Sequence, residues 1–412
     1  RGVQGAVFVN GTRVADLVPQ PNWALDTLEV HLPPGVVTEG HNRIELRTTD
    51  RLREGEGGNH RWALFVKSLR VDGRLDAAEQ RRWESWTRTA EGARDRAVLI
   101  PGEVELGLAA PRPDPQTPDV VVVLLDALRA DRVGAWGYER DATPHLDRLA
   151  EGGVALTSVF AEAPYTRSSV ATLFTAHSWR DHQVLSRRDA LGPHFTTLAE
   201  ILQENGWSTL AVSDNPNVSR GAGSDQGFDE FVQAWSDVDM DDEAPGGWWP
   251  ERPVLIWERR LARGLDPERP VFAYLHLLPP HEPYHPGPDH DLFGPEGYEG
   301  PITGITPDIQ AFDRGEYEPG TPDQERLESL YDGGLRRGDA LLDRALRAWD
   351  AMGRSRPRLL VVISDHGEAF GEHGRYGHNS SVHREMTHVP VVVHPAALVP
   401  GAIANSPQAL RS

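Results

Sequence analysis

From residue 118 onward the chain repeats one pattern, a short continuous apolar run followed by a longer stretch with helical spacing. The apolar runs cover residues 120–125, 208–212, 271–276, 359–363 and 389–393. Runs that do not alternate with polar residues suit strands buried on both faces of a parallel sheet. The helical stretches include 143–150, where Thr143 can cap, Pro144 suits the first turn and Gly152-Gly153 stops the helix. In 322–350, Leu327, Leu330, Leu335, Leu341, Leu342, Leu346 and Trp349 share one stripe. This alternation predicts an α/β body. Residues 236–250 and 285–325 are rich in Asp, Gly and Pro with little periodicity, and they predict surface loops of the kind that serve as lids or binding surfaces.

The amino-terminal region has a different period. Short alternating segments at 6–9, 27–32, 43–46 and 63–66 are separated by turn chemistry such as Asn10-Gly11 and Pro33-Pro34-Gly35, which predicts a small antiparallel sandwich. Residues 77–88 read as an Arg-rich helix, and Pro111-Arg112-Pro113-Asp114-Pro115 as an extended connection. The expected organisation is a β-sandwich domain at 1–75, a helical and Pro-rich linker at 76–117, and an α/β domain at 118–412. Val9-Asn10-Gly11 and the phrase from Glu39 to Glu45 resemble galactose-binding-type jelly rolls over the first ~70 residues.

Charge and composition narrow the functional classes. The 412 residues carry 42 Lys+Arg against 62 Asp+Glu, a formal net charge of -20, with no long basic run. That excludes a nucleic-acid binder and disfavours adhesion to an anionic membrane. Cysteine is absent, which removes disulfides, thiolate metal sites and cysteine nucleophiles. Lys67 is the only lysine, so a cationic group in a site must be Arg, His or metal. The longest apolar run, 120–125, is far short of the ~20 residues of a membrane-spanning helix.

In an open parallel sheet, ligands bind beyond the carboxyl ends of the strands. The first run ends at Asp126, the fourth at Ser364-Asp365-His366-Gly367-Glu368, and the third leads through His276 to His281. Two carboxylates, an imidazole and one further oxygen suit a divalent ion such as Ca, Mg, Mn or Zn. Thr166 is a candidate for that oxygen: the pattern after Arg167 is helical, which puts Thr166 at a helix amino end where free amides favour a bound anion. A hydroxyl beside a divalent cation ionises more readily and can attack phosphorus or sulfur. Taken alone, Asp126 reads as a turn former and Thr166 as an N-cap. His276 reads as a core histidine or the partner of a ligand, and His285, His290, His373 and His383 as loop residues. Trp248 and Trp249 suit loop packing or stacking on a sugar or aryl group.

An ordered series of motifs adds to this reading: Asp126-Ala127-Leu128-Arg129-Ala130-Asp131, Gly137-Tyr138, Thr143-Pro144-His145-Leu146-Asp147, Gln226-Gly227-Phe228-Asp229, His276 through Tyr284, Ser364 through Glu368, and Gly377-His378 before His388-Val389-Pro390. With these motifs, residues 118 to about 395 resemble the sulfatase family of the alkaline-phosphatase superfamily. The resemblance implies a three-layer α/β/α sandwich with a mostly parallel central sheet, truncated here at its carboxyl end, that cleaves sulfate or phosphate esters with one bound divalent metal. It implies Asp126, Asp365 and His366 as metal ligands with Thr166 as metal-bound nucleophile. His281 and His378 would contact the transferred group or protonate the leaving oxygen, and Arg167 would hold the anionic ester. Arg129, Asp131, Asp147 and Asp229 recur as structural pairs and caps.

The departures count as well. Where arylsulfatases carry the Cys or Ser that becomes formylglycine, this chain has Thr166, and Thr is the nucleophile of phosphodiesterases and phosphoethanolamine or glycerophosphate transferases in the superfamily. The family's active-site lysines are missing, and Ala127 stands for the second of its paired aspartates. The expected substrate is an anionic ester on a glycan or lipid, and the expected location is periplasmic, secreted or membrane-anchored outside the cytoplasm, with any anchor outside this sequence. The other readings are a phospho-group transferase or a catalytically degenerate glycan-binding member.

Overall fold

The computed structural model describes residues 116–237, 249–379 and 381–399, Asp114, and the strands 5–9, 12–17, 41–48, 103–107 and 409–411. The chain divides into two compact units, 1–111 and 112–412. In the first, β1 (Gly5–Val9), β2 (Thr12–Leu17), β3 (His41–Thr48) and β4 (Glu103–Gly107) form an antiparallel sheet in the order β2-β1-β3-β4. The β4 strand falls within the stretch expected to be a linker and pairs with β3, Ile44 opposite Val104. The strands expected at 27–32 and 63–66 and the helix at 77–88 lie outside the described residues.

The second unit is built on β5 (Asp119–Leu125), β6 (Val154–Phe160), β7 (Ser208–Ser213), β8 (Glu230–Gln233), β9 (Val271–Leu277), β10 (Arg358–Ile363), β13 (His388–His394) and β14 (Ala409–Arg411), with a separate hairpin of β11 (Ala369–Phe370) and β12 (Tyr376–Gly377). The eight strands lie in the order β14-β6-β13-β10-β5-β9-β7-β8. From β10 to β8 every neighbour is parallel. The run at 389–393 was expected to be parallel too, but β13 is antiparallel to both β10 and β6. A chain segment buried on both faces is apolar in either direction, so composition does not report strand direction.

Helices cover both faces. Val121, Val123 and Leu125 join a core with Leu146 of α1 (Pro144–Glu151), Val254 and Trp257 of α4 (Arg252–Ala262) and Leu335, Leu342 and Leu346 of α6 (Pro322–Asp350). Val122 and Leu124 point the other way, toward Val170 and Phe174 of α2 (Thr166–Thr175) and Ala199 of α3 (Leu198–Glu204). This is an α/β/α arrangement, with the strand period of two dividing β5 between the cores.

All seven apolar residues of the predicted stripe on α6 are buried. The same helix passes close to the segment carrying His281: a Cβ at Gly338 would lie 2.9 Å from the Pro279 carbonyl oxygen, so a small residue is required there. Two local expectations change. Thr143 occupies the cap position of α1, yet its hydroxyl bonds Gly134 N and Asp147 rather than the helix amides. Those amides, at His145 and Leu146, donate to Asp339 of α6 at 2.9 and 2.8 Å. And 285–325, expected to be loop, contains the helix α5 (Thr306–Asp313), whose Ile309 and Phe312 are buried.

Candidate active site and family

Asp126 is the first residue after β5, and its amide still bonds Leu277 O of β9 at 3.0 Å. Asp365 and His366 follow β10 by one residue, and Thr166 opens α2. The chain thus delivers all four to the carboxyl edge of the sheet, where each is at most 2% exposed. One ligand atom each of Asp126, Asp365 and His366 lies within 4.8 Å of the others. His366 Nε2 is 3.5 Å from Asp126 Oδ1, 3.5 Å from Asp365 Oδ2 and 3.2 Å from Thr166 Oγ1.

The carboxylates are held in the same way, each by one oxygen only. Asp365 Oδ1 accepts from the amides of Ala127 (3.3 Å) and His366 (3.0 Å). Asp126 Oδ2 contacts His276 Nε2 at 2.8 Å and accepts from Asn215 Nδ2 at 2.5 Å. The remaining oxygens, Asp126 Oδ1 and Asp365 Oδ2, are buried without a hydrogen-bond partner. A buried, unpartnered carboxylate oxygen is costly, and two of them beside one imidazole fit a cation between them. On His366, Nδ1 sits 2.9 Å from Gly367 O and so carries the proton, which turns the Nε2 lone pair into the cluster. Two carboxylates, an imidazole and a hydroxyl suit one hard or borderline divalent ion.

The loops carrying these groups are cross-braced. Ser364 Oγ accepts from Leu128 N and donates to His366 O, both at 2.8 Å. The Tyr331 hydroxyl accepts from Arg129 N (3.1 Å) and donates to Ala127 O (2.8 Å). Ala127 sits in the left-handed region with φ 59. Gly367 and Glu368 donate their amides to Met386 O and Glu385 O, and a Cβ at Gly367 would lie 2.1 Å from Glu385 O. Glycine is therefore the residue that lets Asp365-His366 turn against the 384–387 segment. As expected, Arg129 pairs with Asp131, and Asp147 and Asp229 accept from nearby backbone amides.

His281 and His378 stand beside this cluster. Their ring centroids are 4.7 Å apart, and they lie 6.3 and 4.6 Å from that of His366. His281 Nδ1 donates to Glu282 O (2.6 Å), and His378 Nδ1 faces the Glu368 carboxylate at 3.1 and 3.3 Å, so Nε2 is the free nitrogen of each ring. Burial opposes a charge on His378, but the Glu368 carboxylate outweighs it and the imidazole is raised to about 9. The Glu368 carboxylate thus favours the charged form of the His378 imidazole. Burial likewise opposes the Glu368 charge, and His378 holds that carboxyl below its usual value.

The Arg167 guanidinium is engaged by backbone carbonyls. Its Nη1 donates to the carbonyls of Arg187 (2.7 Å) and Asp189 (2.9 Å), so the guanidinium packs against the 186–189 loop. A cation next in sequence to a helix-opening residue is turned about 100° away around the helix, which adjacency alone does not reveal. Asn215 was missed: Ser213-Asp214-Asn215 follows the apolar run at 208–212, so the strand-end rule applied to that run would have found it.

Comparison with known proteins bears on the same residues. The model of the sulfatase family matches residues 118–407. The chain belongs to the sulfatase family. Similar sulfatase relatives include an ulvan-active sulfatase of Formosa agariphila, 25% identical over 282 residues, which are 63% of this chain and 52% of the relative. An arylsulfatase of Clostridium perfringens is 22% identical over 308 residues, 62% of this chain and 64% of the relative. The matched segment thus spans about half to two thirds of the length of these two relatives. Its fold is similar to that of the soluble domain of lipooligosaccharide phosphoethanolamine transferase A from Neisseria meningitidis, with TM-score 0.54, 19% identity, and coverage of 69% of this chain and 78% of that one. The phosphonate monoester hydrolase of Agrobacterium radiobacter gives TM-score 0.51, 21% identity, and coverage of 67% and 68%. At those identities the likeness is one of fold.

Proposed function

We propose that this sulfatase-family chain is a metal-dependent hydrolase of phosphate or sulfate esters with Thr166 as its nucleophile. The observation that carries the reading is the convergence of Thr166 Oγ1 and His366 Nε2 with the two unpartnered oxygens of Asp126 and Asp365. A divalent ion held by Asp126, Asp365, His366 and Thr166 would supply Lewis-acid chemistry, drawing charge from the ester oxygens and favouring an ionised hydroxyl. Thr166 Oγ1 gives up its proton to solvent and bonds to the central phosphorus or sulfur as the bond to the leaving oxygen breaks. That oxygen takes its proton from His378, whose charge Glu368 maintains, or from His281. Water then attacks the same central atom, passing a proton back to that imidazole, and Thr166 Oγ1 leaves, regains a proton from solvent and frees the anion.

A threonine ester has no geminal hydroxyl through which the anion could be expelled, so both halves of the cycle run at the central atom. That favours phosphorus, and phosphate esters or diesters over sulfates. An alcohol in place of water at the second step would make the protein a phospho-group transferase. The substrate expected is an anionic ester of a glycan or lipid handled outside the cytoplasm. Among the described residues no helix is long and apolar enough to cross a membrane.

The test is turnover of an aryl phosphate, a phosphodiester and an aryl sulfate by wild type and Thr166→Ala, each with Mn2+ and with chelator. Activity that requires both the metal and Thr166 is expected, strongest on a phosphorus ester. Equal rates in the two proteins remove Thr166 from the mechanism, and no turnover of any ester by metal-loaded wild type favours the degenerate, ligand-binding reading.

A further inference from the structure

The side of Asp126 away from Thr166 is built with more care than a metal ligand alone requires. Its Oδ2 meets two separate nitrogens, His276 Nε2 at 2.8 Å and Asn215 Nδ2 at 2.5 Å. His276 in turn has Nδ1 2.9 Å from the Tyr274 hydroxyl. Asn215 has Oδ1 2.8 Å from the amide of Asn217. Asp126, His276 and Tyr274 are all 0% exposed and Asn215 is 3% exposed, so no water competes for these bonds. Tyr274 and His276 lie on β9, and Asn215 lies two residues beyond the end of β7, which pairs with β9 in register with Ser213 beside His276. Burying this many polar groups is tolerable only when each finds a partner, and here they find one another in a single direction. The tyrosine hydroxyl can only donate toward Nδ1 if Nε2 carries the ring proton, and that proton then points at Asp126 Oδ2.

We infer that Tyr274, His276 and Asn215 are positioning residues that commit Asp126 to the metal through one named oxygen, Oδ1, as a one-oxygen ligand. The inference rests on the metal-site reading above. With Oδ2 occupied by two donors, the carboxylate cannot rotate to offer both oxygens. It presents Oδ1 toward Asp365 Oδ2, His366 Nε2 and, beyond it, Thr166 Oγ1. Asp365 reaches the same state by a different route, through two backbone amides, which no side-chain substitution removes. Only the Asp126 side is therefore open to dissection by mutation. Outer partners of this kind orient a ligand and raise its basicity, and their loss weakens metal affinity ~10–100-fold.

The experiment is Mn2+ binding to the full 412-residue chain by equilibrium dialysis, with the electron paramagnetic resonance spectrum of the bound ion as a record of ligand symmetry. The proteins are wild type, Asp126→Ala, Asn215→Ala, Tyr274→Phe, His276→Leu and the conservative His276→Gln, whose amide can still donate to Oδ2. Expected are loss of binding in Asp126→Ala, ~10–100-fold weaker binding with an altered spectrum in Asn215→Ala and His276→Leu, a smaller loss in Tyr274→Phe, and partial recovery in His276→Gln. Should the buried His276→Leu fail to fold, Asn215→Ala and Tyr274→Phe decide, since each removes few atoms. Wild-type affinity and spectrum in those two, with Asp126→Ala inactive in binding, overturns the positioning role and leaves the metal site standing. Wild-type Mn2+ binding that Asp126→Ala leaves intact overturns both.

Discussion

Replacing Asp365 by Asn separates what the site does for function from what it costs the fold. The amide keeps the shape of the carboxylate, and its oxygen can still accept from the Ala127 and His366 amides as Oδ1 does now. What disappears is one of two negative charges whose ligand atoms lie within 4.8 Å of each other. At an effective dielectric constant of about 20, that repulsion is ~3 kcal/mol. In chelator, Asp365→Asn is therefore more stable than wild type by up to ~3 kcal/mol, or ~5 °C in the melting of the 112–412 unit given ~2.1 cal/mol/K per residue. Mn2+ at one hundred times its dissociation constant stabilises wild type by ~2.7 kcal/mol, about 4 °C, and leaves the variant where it was. Scanning calorimetry of both proteins with chelator and with Mn2+ reads all four states. A variant less stable than wild type in chelator, or one that gains as much from Mn2+, refutes the charge-pair argument.

The same geometry sets other outcomes. Thr166→Ala should lower ester turnover by at least ~1,000-fold in kcat, while Thr166→Ser keeps measurable activity because it retains a hydroxyl at the same helix end. His378 sits above its ordinary 6.5, at about 9, so the stability of its pair with Glu368 is complete below 6.5 and is lost as pH rises through about 9. The kcat/KM profile should fall on the same alkaline limb, and Glu368→Gln should move that limb to lower pH; an unmoved limb rules out His378 as the acid. Gly367→Ala forces a Cβ into Glu385 O and should cost roughly 1–3 kcal/mol or more by urea denaturation, together with weaker Mn2+ binding.

The α/β body was legible because buried strands and amphipathic helices leave opposite periods in the sequence, and each long apolar run became a strand of the central sheet. The site was legible because parallel strands deliver the residues just beyond their carboxyl ends to one edge, so Asp126, Asp365, His366 and His281 could be named as a group. Less was visible where a neighbour, not the local pattern, sets the conformation. Helix α1 takes its cap from Asp339, almost two hundred residues away in the chain, and not from the Thr143 that local rules favour. Strand β6 escaped notice because its exposed positions dilute the apolar run, β8 because it is four residues long with polar ends, and α5 because a loop-like composition surrounds it.

What this sequence determined by itself was the kind of chemistry available: no thiol, a single lysine, a threonine at the start of a helical pattern, and acids and imidazoles at strand ends. Those are properties of residue type and spacing, which a chain carries into any conformation. The tertiary structure decided direction. It turned Arg167 toward the 186–189 loop, set β13 antiparallel, brought Asn215 and His276 to one oxygen of Asp126 and Glu368 to His378. Which atom of a side chain is left free depends on what occupies the others, and those occupants come from parts of the chain that only folding makes neighbours.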